Sequence, residues 1–187
     1  IRDPNGIRPA FWYDDEEVLV VTSERPVIQT AFNVKWEKVN ELKPGHALIV
    51  KKDFDVKEVE INSPSNLQKC SFERIYFSRG TDKDIYKERL ILGSLVTPQV
   101  LEAVNFDLKR TVFSFIPNTA EMSYYGMIKA TEDYLSGVKK KKIQELDQND
   151  HKYQEKLDDI LSIRTRGEKI MVKDAKLRTF ITQDDFR

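Results

Sequence analysis

Cys70-Ser71-Phe72-Glu73-Arg74-Ile75-Tyr76-Phe77-Ser78-Arg79-Gly80 is the stretch on which the reading of the fold turns. From Phe72 to Phe77 aromatic and β-branched residues predominate, the composition of a strand. In a strand Phe72 and Tyr76 would point to one face and Ile75 and Phe77 to the other. Two apolar faces place such a strand between packed layers. The sequence before it is strand-like; after it come long helical stretches and one more buried strand. Residues near 65–71 are the expected boundary between two unlike segments.

The strand-like part opens on Asp3-Pro4-Asn5-Gly6, a turn by chemistry, since Pro fixes φ and Gly supplies φ > 0. Ile7 to Tyr13 and Glu17 to Thr22 read as a hairpin around Asp14-Asp15-Glu16. Ser23 is the expected N-cap of a short helix through Phe32, with Pro26 in its first turn. Trp36 to Leu42 carries no clear pattern. After the Lys43-Pro44-Gly45 turn, His46 to Lys52 and Val56 to Ile61 form a second hairpin, and 62–66 is a polar linker.

Beyond the opening stretch, Thr81 or Asp82 caps a helix with apolar positions Ile85, Leu92, Leu95 and Val96, which Pro98 should break or kink. Thr111 to Ile116 reads as a buried strand, Pro117-Asn118 as a sharp turn, and Thr119 as the cap of a helix to about Leu135. A strand, a tight turn and a helix start form the arrangement in which helix N-termini hold phosphates. From 139 to 163 the spacing of Ile143, Leu146, Tyr153, Leu157 and Ile160 predicts one amphipathic helix, with Asp150 where an apolar residue was due. Gly167 ends it, and Lys169 to Val172 is a possible strand.

Composition narrows the function classes. Lys+Arg and Asp+Glu are both 31 of 187 residues, a balance that argues against nucleic-acid and membrane partners. One Cys and two His argue against a disulfide framework and against a metal site built wholly from this chain. No apolar run approaches a membrane span and nothing resembles a signal peptide, so a cytoplasmic protein is the simplest reading. Ile1 opens inside a turn motif and Arg178 to Arg187 ends without a closing element. The expectation is an excised or processed part of a longer protein.

Arg2-Asp3-Pro4-Asn5-Gly6-Ile7-Arg8-Pro9, with Thr22-Ser23-Glu24 and Leu42-Lys43-Pro44-Gly45, resembles the later part of a type II glutamine amidotransferase glutaminase domain. Cys70 to Arg79 resembles the domain junction of the amidophosphoribosyltransferase family, and Arg178-Thr179-Phe180-Ile181 resembles that family's Arg-Thr-Phe-Ile near its PRPP loop. The resemblance implies an α+β chain. Residues 1–66 would be the C-terminal part of an N-terminal-nucleophile-type glutaminase domain. Residues 67–187 would begin an α/β phosphoribosyltransferase domain, with a charged helical insertion near 137–165. The family's nucleophilic cysteine is expected upstream of Ile1 and its acidic PRPP loop beyond Arg187.

The resemblance also implies site residues. Arg178 and Lys173, and more weakly Lys176, would contact PRPP phosphates, since guanidinium and ammonium donors suit that polyanion. Thr119 and Asn118 would either touch that ligand or simply cap the helix. No catalytic residue is expected within the chain. Where the family carries a metal-binding Ser this sequence aligns Ala120, and Lys173-Asp174-Ala175-Lys176-Leu177 lacks the family's Arg-Tyr pair. Mg2+ is implied as cofactor. Cys70 aligns with a position that ligates an iron–sulfur cluster in some members, but a small buried apolar role is the reading kept for it. Glutamine and PRPP are the implied substrates, and a homo-oligomer the implied assembly. A catalytically degenerate regulatory subunit and another type II amidotransferase are the alternatives. Arg2, Asp3 and Arg8 are assigned to holding the opening turn, and Lys139 to Lys142 to a solvated helix end.

Overall fold

The computed structural model describes residues 1–15 and 17–172. They fall into two compact units, Ile1–Tyr86 and the residues from Lys87 onward.

In the first unit the hairpin forms as expected, though shorter. Strand β1 (Phe11–Asp14) pairs antiparallel with β2 (Leu19–Thr22), Phe11 opposite Thr22 and Asp14 opposite Leu19. Asp15 closes the turn by accepting the backbone N–H groups of Glu17 and Val18, each at 2.9 Å. Helix α1 (Arg25–Phe32) follows with Pro26 in its first turn. Its N-cap is Glu24, not Ser23, and no side chain caps it. A 3-10 turn (Trp36–Lys38) leads into β3 (Asn40–Glu41), giving a sheet ordered β2-β1-β3. Phe11, Ile28 and Val39 are the buried core between sheet and helix. The second hairpin, β4 (His46–Val50) with β5 (Val56–Glu60), matches the sequence reading.

The opening stretch is not a strand. Glu73–Phe77 is a π-helical turn, with the Ser78 N–H donating to the Glu73 carbonyl at 2.7 Å. A strand would send Phe72 and Phe77 to opposite faces. The helical turn instead gathers Phe72, Tyr76 and Phe77 into one aromatic cluster with ring centroids 5.1–5.2 Å apart. Of the residues expected to lie between two layers, Phe72, Ile75 and Phe77 are exposed and Tyr76 is half-buried.

Helix α2 (Lys83–Ala103) is capped by Asp82, one of the two caps expected, whose carboxylate accepts the N–H groups of Asp84 and Ile85. It continues through Pro98 without breaking. In the second unit it packs on α3 (Glu121–Gln144) through Gly93 and Gly126, with the Ser94 hydroxyl donating to the Gly126 carbonyl at 3.2 Å. Gly93 before the proline and Leu101 after it are both buried. Leu101, Leu108, Phe113 and Leu135 form the buried core, with Tyr124, Met127 and Ile128 packed against it.

Three other readings of this unit are corrected. The strand expected over Thr111 to Ile116 is only β6 (Val112–Phe113), with Phe113 buried and Ile116 exposed. Its partner is β7 (Arg166–Gly167), parallel, so Gly167 is a strand residue and Lys169 to Val172 is not a strand. The single helix expected over 139–163 is broken: α3 runs on to Gln144 and α4 spans Tyr153–Ser162. The polar interruption noted at Asp150 is the break itself. Asp147 accepts the N–H of Asn149 and Asp150 that of Lys152, side chain-to-backbone turns that compete with helix. Lys141 and Lys142 thus sit in the last turn of α3, where the helix dipole favours cations.

Candidate functional site

Two places concentrate polar chemistry, one in each unit. In the first, the opening turn is built as expected. The Arg2 guanidinium is buried and donates to the carbonyls of Arg8 and Leu42 and to the Glu41 carboxylate, the last at 2.9 Å. Asp3 accepts the N–H groups of Asn5 and Ile7 on its carboxylate and those of Gly6 and Gly45 on its carbonyl. Gly45 has φ +74°, and a Cβ there would meet the Asn62 carbonyl oxygen at 2.0 Å, so only glycine fits. Arg8 reaches Glu73 at 2.9 Å, tying this motif to the π-helical turn.

Between that motif and the start of α2 lies a cavity of about 50 Å³. Arg25 bridges Asp82 at 3.1 Å and Asp84 at 2.7 Å beside it, and Arg79 faces Glu24 at 3.2 Å. The hydrogen bond from Arg25 holds the Asp84 carboxyl below its ordinary range. Cys70 also lines this space. It is half-buried, not fully buried as expected, and its N–H donates to the Ile7 carbonyl at 2.9 Å. Pockets for organic ligands run to roughly 300–1,000 Å³, and this one has room for little more than water. With cations and carboxylates matched, it is an internal ion-pair lock. Sequence reading missed Arg25, Asp82 and Asp84 as a group, because their meeting depends on tertiary approach; only the capping role of Asp82 was legible.

The second place is the carboxyl-end edge of the β6–β7 pair. Both strands run the same way, so β6 delivers the chain to Pro117-Asn118-Thr119 and the start of α3 at the edge where β7 also ends. The Ile170 N–H approaches the Ser114 hydroxyl at 3.5 Å, placing the exit from β7 beside the exit from β6. Asn118 is exposed and Thr119 half-buried. Thr119 is not the helix cap: Ala120 occupies that position and no side chain caps α3. The Asn118 carbonyl accepts the Glu121 N–H at 3.2 Å, leaving both polar side chains uncommitted to capping. Lys173, Lys176 and Arg178 lie outside the described residues.

No group of three or more His, Cys, Asp or Glu among the described residues could hold a metal ion. Asn118 and Thr119 suit a phosphate oxygen better than Mg2+, and Cys70 alone does not fit an iron–sulfur cluster. Among the described residues no helix is long and apolar enough to cross a membrane.

Over 131 residues, 64% of the chain, the sequence is 34% identical to an amidophosphoribosyltransferase of Lachancea kluyveri, of which it covers 25%. The chain is a divergent relative of the amidophosphoribosyltransferases. An amidophosphoribosyltransferase of Saccharomyces cerevisiae is 33% identical over 113 residues, 54% of the chain and 22% of that protein. The glutamine PRPP amidotransferase of Bacillus subtilis, solved with ADP and GMP, matches in structure with a TM-score of 0.51 at 26% identity, over 70% of this chain and 27% of that one. No family model matches. The chain spans about a quarter of the length of the amidophosphoribosyltransferases it matches.

Proposed function

We propose that the chain is part of an amidophosphoribosyltransferase-like enzyme that transfers glutamine-derived ammonia to PRPP, giving 5-phosphoribosylamine in cytoplasmic purine biosynthesis. The 131-residue likeness to a named amidophosphoribosyltransferase carries this reading. Residues 1–66 then close a glutaminase domain, and 67–187 open a phosphoribosyltransferase domain whose helical insertion near 137–165 contains the end of α3 and all of α4. Within the second domain Asn118 and Thr119 are the phosphate contacts, at the start of a helix, the end whose dipole favours anions. Lys173, Lys176 and Arg178 add cationic donors from the chain that follows β7. Mg2+ would enter with PRPP, held mainly by ligands outside the described residues, and any iron–sulfur cluster would need partners for Cys70 from elsewhere. The enzyme acts as a homo-oligomer.

Ala120 supports a second reading, a regulatory relative that binds nucleotide without turnover, because the position aligned with the family's metal-binding Ser offers no hydroxyl. Pyrophosphate release dependent on both glutamine and PRPP, measured on the protein at its full natural length, separates the two. Release supports the enzyme; PRPP binding without release supports the regulatory relative. The 187-residue chain alone is expected to show no glutaminase turnover.

A further inference from the structure

Tyr124, Ile128 and Glu132 recur every four residues along α3, so they share one side of that helix. The chain entering β7 runs along that side. The Thr165 N–H donates to the Glu132 carboxylate at 3.1 Å, and two residues on, Gly167 stands against Tyr124 and Ile128. β7 therefore travels toward the start of α3, the end at which Asn118 and Thr119 lie. A Cβ built on Gly167 would lie 2.1 Å from the Tyr124 Oη and 3.3 Å from the Ile128 Cδ1. The φ of Gly167 is outside the left-handed region, so space, not backbone conformation, excludes a side chain there. The Tyr124 ring has little freedom to give way. It packs against the core of the second unit and lies 4.9 Å, centroid to centroid, from the Phe115 ring. Its backbone N–H donates to the Ala120 carbonyl at 2.9 Å. Phe115 and Ala120 bracket the Pro117-Asn118-Thr119 turn, so Tyr124 holds both ends of the segment that carries the two polar side chains. β7 is constrained in turn, since the Glu168 N–H donates to the Phe113 carbonyl at 2.9 Å.

We propose that Gly167 is a positioning residue for PRPP, an inference that rests on the enzyme reading above. Its missing side chain lets Tyr124 keep the place from which it sets Asn118 and Thr119 against the substrate phosphate. A methyl group at position 167 pushes the Tyr124 ring toward Phe115 or lifts β7 from β6. Either displacement moves the Pro117-Asn118-Thr119 turn and leaves residues 1–66 untouched. The cost falls on PRPP binding, because binding groups that are slightly misplaced lose the bonds they make.

Pyrophosphate release by the protein at its full natural length, measured against PRPP at saturating glutamine, tests it. Gly167→Ala should raise the PRPP KM about tenfold, with kcat and the glutamine KM within about twofold of the parent. Tyr124→Phe removes the oxygen that the methyl group meets, so the double variant should match Tyr124→Phe alone. Glu132→Ala frees the entry to β7 at an exposed position and should raise the PRPP KM about threefold, whereas Glu132→Gln keeps an acceptor and the parent value. That pair decides the matter if Gly167→Ala does not fold, and equal KM values for the two would then overturn the proposal. An unchanged PRPP KM in Gly167→Ala, even with stability or kcat lowered, would overturn it, as would a double variant no better than Gly167→Ala. A parent that releases no pyrophosphate defeats the enzyme reading itself. The same variants are then compared by PRPP binding in equilibrium dialysis, where the same order of affinities is expected, and a parent that binds no PRPP overturns the proposal as well.

Discussion

A Cβ built on Gly93 would lie 1.8 Å from the carbonyl oxygen of Ser123, in the first turn of α3. At the next turn of the same crossing, a Cβ on Gly126 would lie 2.0 Å from the Leu90 carbonyl oxygen. The two helices therefore meet backbone to backbone, with no flexible side chain to give way.

Gly93→Ala should destabilise the second unit. Alanine brings roughly 1 kcal/mol of helix propensity. Forcing the backbones apart costs more, about 2 kcal/mol or above. Gly137→Ala in α3 is the control, since nothing lies within 4 Å of its Cβ position and propensity acts alone. Urea unfolding followed by circular dichroism should show a lowered midpoint for Gly93→Ala and a raised one for Gly137→Ala. A raised midpoint for both would mean the crossing relaxes freely.

Arg2→Lys should cost nearly as much as Arg2→Met. The guanidinium serves three separated acceptors, Arg8 O, Leu42 O and Glu41, from a buried position. A single ammonium cannot reproduce that fork, and the orphaned carbonyls make the loss about 2–3 kcal/mol. Chemical denaturation of both variants checks it. Stability in Arg2→Lys close to the parent would show that charge, not geometry, is what the turn requires.

Local chemistry was legible where the chain talks to itself over short range. The Asp3 turn, the Asp15 turn, the Asp82 cap and both hairpins follow from side chains that bond a backbone within a few residues. Phe72 to Phe77 misled because β-branched and aromatic residues mark strands only when packing supplies two covered faces. Here Phe72, Ile75 and Tyr76 also satisfy the three-and-four spacing of a helical turn, and the aromatic cluster takes that option. Thr119 misled for the converse reason: a residue good at capping stands one place too early, and Ala120 fills the position. The ion pairs of Arg25 with Asp82 and Asp84 join residues more than fifty positions apart, beyond any local signal.

Acid should weaken the first unit partly through Asp84. Its hydrogen bond from Arg25 lowers the folded-state pKa below the unfolded value, so its stabilisation is fully present above about pH 4 and is lost as pH falls through the lower folded value. Asp84→Asn removes that contribution at neutral pH and with it part of the acid dependence. Stability plotted against pH should therefore be flatter below about pH 4 in the variant than in the parent. Parallel curves would show that the carboxylate titrates alike in both states.

Thr119→Val separates structure from ligand binding at the candidate phosphate site. Valine keeps the shape and removes the hydroxyl. Because no side chain caps α3, the substitution should change stability by no more than about 0.5 kcal/mol. If the hydroxyl donates to a PRPP phosphate, a charge-assisted bond of roughly 1.5 kcal/mol is lost and the PRPP KM of the full-length enzyme rises about tenfold. Thermal unfolding and pyrophosphate-release kinetics on the same preparation read both effects. A large stability loss would restore Thr119 to a capping role, and an unchanged KM with unchanged stability would remove it from the PRPP site.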